Sequence, residues 1–183
     1  MTQRTALFPR FGALLAGLVV VATSIPGAGH AAEPPPGSVP VPQLDASQPI
    51  TPAQHVYPDA ALAHTQVTEA FKTALRTHRK VLLDFGGNWC PDCLKLAGVF
   101  DVPSVAQWLD AEFVVVPVNV ERINQNLDIA TRYGVTIHEV PTVLIFTANG
   151  KLLNADGANT LGNARAMSAQ SVIDLLASWN RRS

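Results

Sequence analysis

The 183-residue sequence is short of cysteine and of net charge. It has two cysteines, and its 13 basic and 14 acidic residues give a formal net charge of −1 at pH 7. Without a basic excess to follow a phosphate backbone, nucleic acid is not expected as a partner. A hydrophobic fraction of 48% and a charged fraction of 15% are typical of a soluble globular protein with one domain and appendages.

The sequence also lacks an apolar run long enough to cross a bilayer. The run over residues 11–25 has about 15 residues, whereas a spanning helix needs roughly 20. Arg4 and Arg10 precede the run, and small residues follow it up to Ala32. This order is typical of a secretory signal peptide, so we predict that residues 1–32 are removed on export. An uncleaved membrane anchor is the alternative.

Two further absences bear on the route of export. No cysteine stands directly after the apolar run, which argues against a lipoprotein, and no Arg-Arg pair precedes the run, which argues against the twin-arginine route. General secretion into the periplasm is therefore expected, with no stable membrane insertion after cleavage.

Proline is concentrated in residues 33–58, which hold eight prolines. Such a stretch forbids a regular helix and favours extended chain, so it predicts a semi-rigid linker or an arm strapped along the domain. Beyond it, helical and strand patterns alternate, which places an α/β domain with a central mixed sheet flanked by helices at residues 59–183.

The expected elements follow from hydrophobic spacing and turn signals. The core face of the first helix is predicted to comprise Leu62, Val67, Phe71, Ala74, Leu75 and His78. Further helices are expected to start at Pro91, at Pro103 and after Ser168, and one to cover 123–133. Strands are expected at 81–85, 113–120 and 140–146, and Asn149-Gly150 predicts a hairpin returning an antiparallel strand at 151–154.

Cys90 and Cys93 are separated by two residues. A ring that short removes little entropy from the unfolded chain, so the pair is better suited to reversible redox chemistry than to stapling the fold. Pro91 is suited to the first position of a helix, so the positive end of that helix should lie at Cys90. This placement favours the thiolate form of Cys90, which is the form that attacks a disulfide. A zinc site normally needs two further ligands, and the histidines are scattered.

The segment from Val81 to Cys93, which reads VLLDFGGNWCPDC, resembles the active-site segment of thioredoxins. Val140-Pro141-Thr142, followed by an apolar strand and Asn-Gly, resembles the cis-proline strand and hairpin of that family. Tyr133-Gly134-Val135 matches the approach to that proline. The resemblance covers residues 80–179 and implies a thioredoxin-like fold and an exported bacterial thiol–disulfide oxidoreductase.

The resemblance also implies catalytic roles. Cys90 is the nucleophile, Cys93 is the resolving thiol, and Asp84 is a buried acid that assists proton transfer to and from Cys93. Protein thiols and disulfides are the implied substrates, and no cofactor is expected.

Five residues are implied at the substrate-binding surface. Trp89 shields the disulfide, and the backbone of Val140, next to a cis Pro141, pairs with the bound substrate strand. Pro91 and Asp92, between the cysteines, replace the usual Gly-Pro of the family.

Two other departures from the family pattern concern the surroundings of the site. Pro117 stands where the family often has a lysine facing the buried acid, which leaves the pKa of Asp84 open. Residues 137–139, which include His138, lengthen the segment before Val140 and alter the rim of the substrate groove.

Within this class the sequence favours a reductase over an oxidase. About 48 positions separate Cys93 from Pro141, too few for the large helical insertion of the dedicated periplasmic oxidases that share the fold. The negative charge of Asp92 disfavours the Cys90 thiolate, which argues against a strong oxidant. A periplasmic reductase needs electrons, so a separate membrane thiol donor is implied.

Two hypotheses from other classes stay open. Cys90, Cys93 and His138 would suit Cu(I) if the fold brings them together, which would make the chain a metallochaperone-like module. The second hypothesis is a binding or chaperone module that holds its partner in the substrate groove without catalysing a reaction.

Overall fold

A computed structural model describes residues 39–183, so the predicted signal peptide and residues 33–38 lie outside the described part. The helices are α1 (Ala63–Thr77), α2 (Pro91–Phe100), α3 (Pro103–Glu112), α4 (Asp128–Thr131) and α5 (Ala169–Asn180). The strands are β1 (Lys80–Gly86), β2 (Phe113–Asn119) and β3 (Thr142–Phe146). Short 3-10 helices cover Ala60–Leu62, Ala155–Gly157 and Ala164–Ala166. Within residues 39–183, no helix combines the length and apolar character needed to span a bilayer.

The sheet has the order β2-β1-β3, with β1 parallel to β2 and antiparallel to β3. One apolar cluster lies between the sheet and α1, and a second lies between the other face and α2, α3 and α5. Because both faces are covered, Val81 to Gly86 of the central strand are all buried. The predicted mixed sheet flanked by helices is confirmed.

The core face of α1 differs from the prediction. Leu62 is 49% exposed and Leu75 is 56% exposed, and His78 is the left-handed residue that ends the helix. Val67 and Ala74 are buried as predicted, and Ala63 and Ala70 are buried as well. The helix therefore packs through a face made mostly of alanines, and Leu75, about 100° further round from Ala74, points away from it.

The helix predicted over 123–133 is also wrong in extent, because only Asp128–Thr131 is α-helical. Glu121, Ile123 and Asn126 have positive φ angles, which an α-helix does not allow. The Asn126 side chain instead donates to the backbone carbonyls of Ala60 and Asn119, at 2.9 and 2.8 Å. These two bonds hold Asn126 against segments outside the predicted helix, and the chain forms a turn there despite its apolar periodicity.

The predicted hairpin turns at Gly150, but the returning segment forms an isolated bridge between Phe146 and Leu152 rather than a strand. The Asn154 side chain takes the place of a strand backbone. Its Oδ1 accepts from the Ile145 amide at 2.8 Å, and its Nδ2 donates to the Val143 carbonyl at 2.8 Å. The edge of β3 is thus satisfied without a fourth strand.

The described part of the proline-rich arm, residues 39–58, runs along the domain. Four of its apolar residues pack on the cluster of α2, α3 and α5, namely Val39, Val41, Leu44 and Ile50. The Ala53 amide donates to the Leu94 carbonyl at 2.9 Å. At Gly98 the arm approaches so closely that a Cβ would overlap the Thr51 carbonyl oxygen. Val56 and Tyr57 join the opposite cluster, so the arm crosses from one face of the sheet to the other.

Candidate active site

The two cysteines lie at the start of α2. Cys90 is the N-cap residue in an extended conformation, and its Sγ accepts from the Cys93 amide at 3.2 Å. Pro91 follows as the first helical residue, where its missing N–H costs nothing. The free amides and the helix dipole both favour negative charge on Cys90.

The structure holds Cys90 and Cys93 as a disulfide. In this oxidised state Cys90 is 3% exposed and Cys93 is fully buried. Cys90 Sγ lies 3.5 Å from the Val140 carbonyl oxygen, and the Val140–Pro141 peptide is cis. The fold therefore brings the cysteine pair and the Val140–Pro141 segment together, across 50 positions of sequence. Their roles in substrate binding stay predictions.

Asp84 of β1 is 2% exposed. Burial raises its pKa to about 7, and a hydrogen bond from Tyr57 partly opposes that rise. In the sheet Asp84 lies beside Pro117 on β2 and Val143 on β3, neither of which carries a charge. Pro117 therefore stands beside Asp84 in the sheet register, as expected, and the rise in the pKa of Asp84 comes from burial.

Tyr57 is a member of this site that the sequence analysis missed. Its hydroxyl donates to Asp84 Oδ2 at 2.7 Å, and the residue is 3% exposed. Burial and the neighbouring Asp84 raise the pKa of Tyr57 well above its usual value, so the hydroxyl stays protonated. The available signal was that Tyr57 is the one aromatic residue among the prolines of residues 33–58.

Asn88, which belongs to the active-site segment, holds the backbone of Tyr57 with its side chain. Its Oδ1 accepts from the Tyr57 amide at 3.0 Å, and its Nδ2 donates to the Tyr57 carbonyl at 2.7 Å. Both backbone groups of Tyr57 are thereby paired with one side chain two residues before Cys90. The arm and the cysteine segment are one hydrogen-bonded unit at this point.

Trp89 stands at the outer edge of the site and is 38% exposed. Its indole nitrogen donates to the Glu121 carbonyl, and the Arg122 guanidinium lies 4.8 Å from the ring centroid. This is a cation–π arrangement, which holds the indole against the loop after β2. Trp89 thus offers a fixed aromatic surface next to Cys90.

Asp92 is not the isolated negative charge that the sequence analysis assumed. Its two oxygens accept from the backbone amide and from Nε of Arg165, each at 2.9 Å. The Asp92 side chain is 13% exposed and that of Arg165 is 60% exposed. Because the guanidinium offsets the carboxylate, the argument that Asp92 strongly disfavours the Cys90 thiolate is weakened.

His138 is exposed, as is Glu139 beside it. Within residues 39–183, no group of three or more His, Cys, Asp or Glu side chains is placed to hold a metal ion. The set of Cys90, Cys93 and His138 on which the Cu(I) hypothesis depends is therefore not gathered in this structure.

Comparison with known proteins identifies the domain type. Residues 67–167 match the family model of the thioredoxin-like domain. Thioredoxin-2 of Pyricularia oryzae is 36% identical over 89 residues, which span 49% of this chain and 47% of that protein. Thioredoxin 1 of Nostoc sp. is 36% identical over 98 residues, which span 52% of this chain and 85% of that protein. The chain thus spans about half of the first relative and most of the second.

A solved structure is similar over a longer stretch. The crystal structure of a disulphide isomerase from Xylella fastidiosa Temecula1 is 34% identical, with a TM-score of 0.63. The similarity covers 67% of this chain and 95% of that one. It therefore extends over nearly the whole of the Xylella fold.

Proposed function

The chain belongs to the thioredoxin-like domain family, and on that premise we propose that it is an exported thiol–disulfide oxidoreductase that reduces protein disulfides in the periplasm. The observation that carries the proposal is the Cys90–Cys93 pair at the start of α2, above the buried Asp84 and beside the Val140–Pro141 segment. This arrangement supplies a nucleophile, a resolving thiol, a proton acceptor and a backbone edge for substrate.

The reaction begins with the Cys90 thiolate. It attacks one sulfur of a substrate disulfide, the substrate S–S bond breaks, and the departing substrate thiolate takes a proton from solvent. A mixed disulfide between Cys90 and the substrate results. The helix start stabilises the thiolate before this attack, and the Val140 backbone aligns the substrate beside Cys90.

The second step resolves the mixed disulfide. Asp84, when ionised, takes the proton of the Cys93 thiol, and the Cys93 thiolate attacks Cys90 Sγ. The second substrate thiolate leaves, and the Cys90–Cys93 disulfide seen in the structure is formed. The substrate has gained two electrons and the pair has lost two. A dithiol donor must reduce the pair before the next turnover, and we propose a membrane thiol protein in that role.

The length of chain between Cys93 and Pro141 supports reduction, rather than oxidation, as the direction of exchange. Between Cys93 and Pro141 the chain holds the rest of α2, then α3, β2 and α4. The large helical insertion of the dedicated periplasmic oxidases has no counterpart in this part of the described chain. The proposal of a reductase rests on this feature more than on Asp92, whose charge Arg165 offsets.

Disulfide isomerisation is a second candidate, favoured by the similarity to the Xylella disulphide isomerase. An isomerase uses the same attack by Cys90, but a thiol of the substrate resolves the mixed disulfide. Cys93 is then dispensable for repairing a scrambled substrate and essential for net reduction. Assays of both reactions on wild type and Cys93→Ala distinguish the two functions.

Trapping in the native compartment is the central experiment. The Cys93→Ala protein should accumulate mixed disulfides with envelope proteins, visible on non-reducing gels and removed by reductant. Cys90→Ala is the matched control and should form none. Equal adducts from both variants, or none from Cys93→Ala, would overturn the assigned roles.

Export is tested separately. Mass measurement of the protein recovered from the periplasm should give an N-terminus at Ala32 or Glu33. A membrane-bound protein that retains Met1 would show that the N-terminal segment is an anchor instead.

A further inference from the structure

The proline-rich arm delivers one side chain to the interior of the site. Tyr57 reaches Asp84 across 27 positions of sequence, and its hydroxyl donates to Asp84 Oδ2 at 2.7 Å. The two hydrogen bonds from Asn88 fix the Tyr57 backbone, so the hydroxyl is presented by a restrained segment. Both members of the Tyr57–Asp84 pair are buried.

The two oxygens of Asp84 are in different situations. Oδ2 accepts from Tyr57, whereas Oδ1 is buried and has no hydrogen-bond partner in the described part of the chain. A buried carboxylate oxygen without a donor is costly, so it is the natural place for a proton. Cys93 lies near the Tyr57 hydroxyl that holds Asp84, since a Cβ built at Gly86 would overlap that hydroxyl and would stand 2.9 Å from Cys93 Sγ.

No other charged group competes for Asp84 among the elements packed around it. Pro117 and Val143 flank it in the sheet. On α2, Asp92 is paired with Arg165, and the Lys95 ammonium donates to the Ile50 carbonyl at 3.3 Å. On α5, Asp174 accepts from Gln170. Within residues 39–183, the titratable side chain that contacts Asp84 is therefore Tyr57.

We propose that Tyr57 is a positioning residue of the proposed exchange reaction, which holds Asp84 through Oδ2, leaves Oδ1 to exchange a proton with Cys93, and makes the arm part of the active site. The inference rests on the proposed thiol–disulfide exchange but on neither its direction nor its compartment.

The physical effect of Tyr57 is on the ionisation of Asp84. A hydrogen bond donated to a carboxylate favours the ionised form, which opposes the effect of burial. With a pKa of about 7, Asp84 is partly ionised at neutral pH and can accept a proton from Cys93. Without the hydroxyl, Asp84 retains its own proton to higher pH, and fewer molecules are ready to resolve the mixed disulfide.

Tyr57→Phe tests this with the loss of a single oxygen. The Asp84 carboxyl should be followed by ¹³C NMR against pH in the oxidised full chain, and its midpoint should rise by about one pH unit. The rate of exchange with a model disulfide should fall by roughly 3-fold to 10-fold near pH 7 and recover at higher pH. Asn88→Ala, which keeps the hydroxyl but frees the arm, should shift both in the same direction by less.

Two controls separate this role from a structural one. Tyr133→Phe alters the only other tyrosine, whose ring packs on Phe146, and should leave the titration and the pH profile unchanged. In an Asp84→Asn background, Tyr57→Phe should cause no further slowing, since Tyr57 acts through that carboxyl.

Each other outcome is decisive. An unchanged Asp84 midpoint in Tyr57→Phe, an unchanged pH profile, or equal slowing with and without Asp84 would overturn the positioning role while leaving the proposed function intact. A wild-type protein without any disulfide exchange would overturn the proposed function, and the role of Tyr57 with it.

Discussion

The floor and the rim of the candidate site contrast in their exposure to water. The floor consists of Asp84, Tyr57 and Cys93, with exposures of 2%, 3% and 0%. The rim consists of Trp89, which is 38% exposed and carries Arg122 over its ring, and of the ion pair between Arg165 and Asp92, whose side chains are 60% and 13% exposed. In the floor, no solvent screens the hydrogen bonds and charges, so these interactions shift the pKa of a neighbouring group strongly. At the rim, solvent reduces the same kinds of interaction to small effects.

This contrast separates two tasks within one site. The floor is expected to set the rate of proton transfer and the pH dependence, because its groups have no water to compensate for a change. The rim is expected to shape substrate recognition and to tune Cys90 only modestly. Variants of the two regions should therefore differ in the size of their effects, and the following predictions run from the largest to the smallest.

Asp84→Asn is expected to have the largest effect of the substitutions that spare both cysteines. The amide cannot accept the Cys93 proton, so exchange should slow about 10-fold to 100-fold. Rapid-mixing measurements of mixed-disulfide resolution check this. A wild-type rate for the variant would show that Asp84 has no part in the reaction and would remove the main distinction of the floor.

The same substitution should stabilise the fold at neutral pH. Below pH 3.8 Asp84 is protonated in both the folded and unfolded chain, but between 3.8 and about 7 only the unfolded chain releases the proton. Wild type therefore loses free energy of unfolding as the pH rises through this window. Asp84→Asn lacks that loss and should be more stable above pH 7 by up to about 4 kcal/mol. Denaturant unfolding at pH 4 and pH 8 measures the difference.

The sequence predicted correctly those parts of the floor that lie on elements with a clear local pattern of hydrophobic and turn residues. The strand ending at Gly86 and the helix opening at Pro91 are continuous segments, so their periodicity and the proline position predicted where Asp84, Cys90 and Cys93 would lie. The same reasoning failed over 123–127, where positive φ angles at Ile123 and Asn126 interrupt an apolar pattern. Backbone conformations of that kind leave little trace in hydrophobic spacing.

The hydrogen-bond partners of Asp84 and Asp92 could not be predicted from the sequence, for a different reason. Tyr57 lies in a stretch without periodicity, and its contact with Asp84 depends on how the arm docks. Arg165 meets Asp92 across 73 positions, from a 3-10 helix that no sequence signal marked. Both contacts follow from tertiary packing, which fixes neighbours that spacing along the chain does not encode.

Arg165→Ala tests how strongly the rim affects the ionisation of the Cys90 thiol. Its loss leaves the Asp92 carboxylate uncompensated in the first turn of α2, which should reduce the thiolate fraction of Cys90. Alkylation of Cys90 in the reduced protein should slow by about 2-fold to 3-fold at neutral pH and low salt, and by less at high salt. Asp92→Asn, which removes the charge itself, is the matched control and should not slow it. A change of 10-fold or more would mean that the rim governs the nucleophile as strongly as the floor governs its partner.

His138→Ala should have the smallest effect, and it also decides between redox chemistry and copper binding. His138 is exposed, and the described chain gathers no metal-binding group around the cysteines. Disulfide exchange and Cu(I) affinity should therefore both change by less than about 2-fold, because a solvated side chain is well screened. Titration of the reduced wild type and variant with Cu(I) against a competing chelator, beside an exchange assay on the same samples, measures both. The wild type should bind Cu(I) no better than a simple dithiol. Tight binding that depends on His138, together with negligible exchange, would show that the loop before Val140 closes on the cysteines in the reduced state, and that this site carries metal rather than electrons.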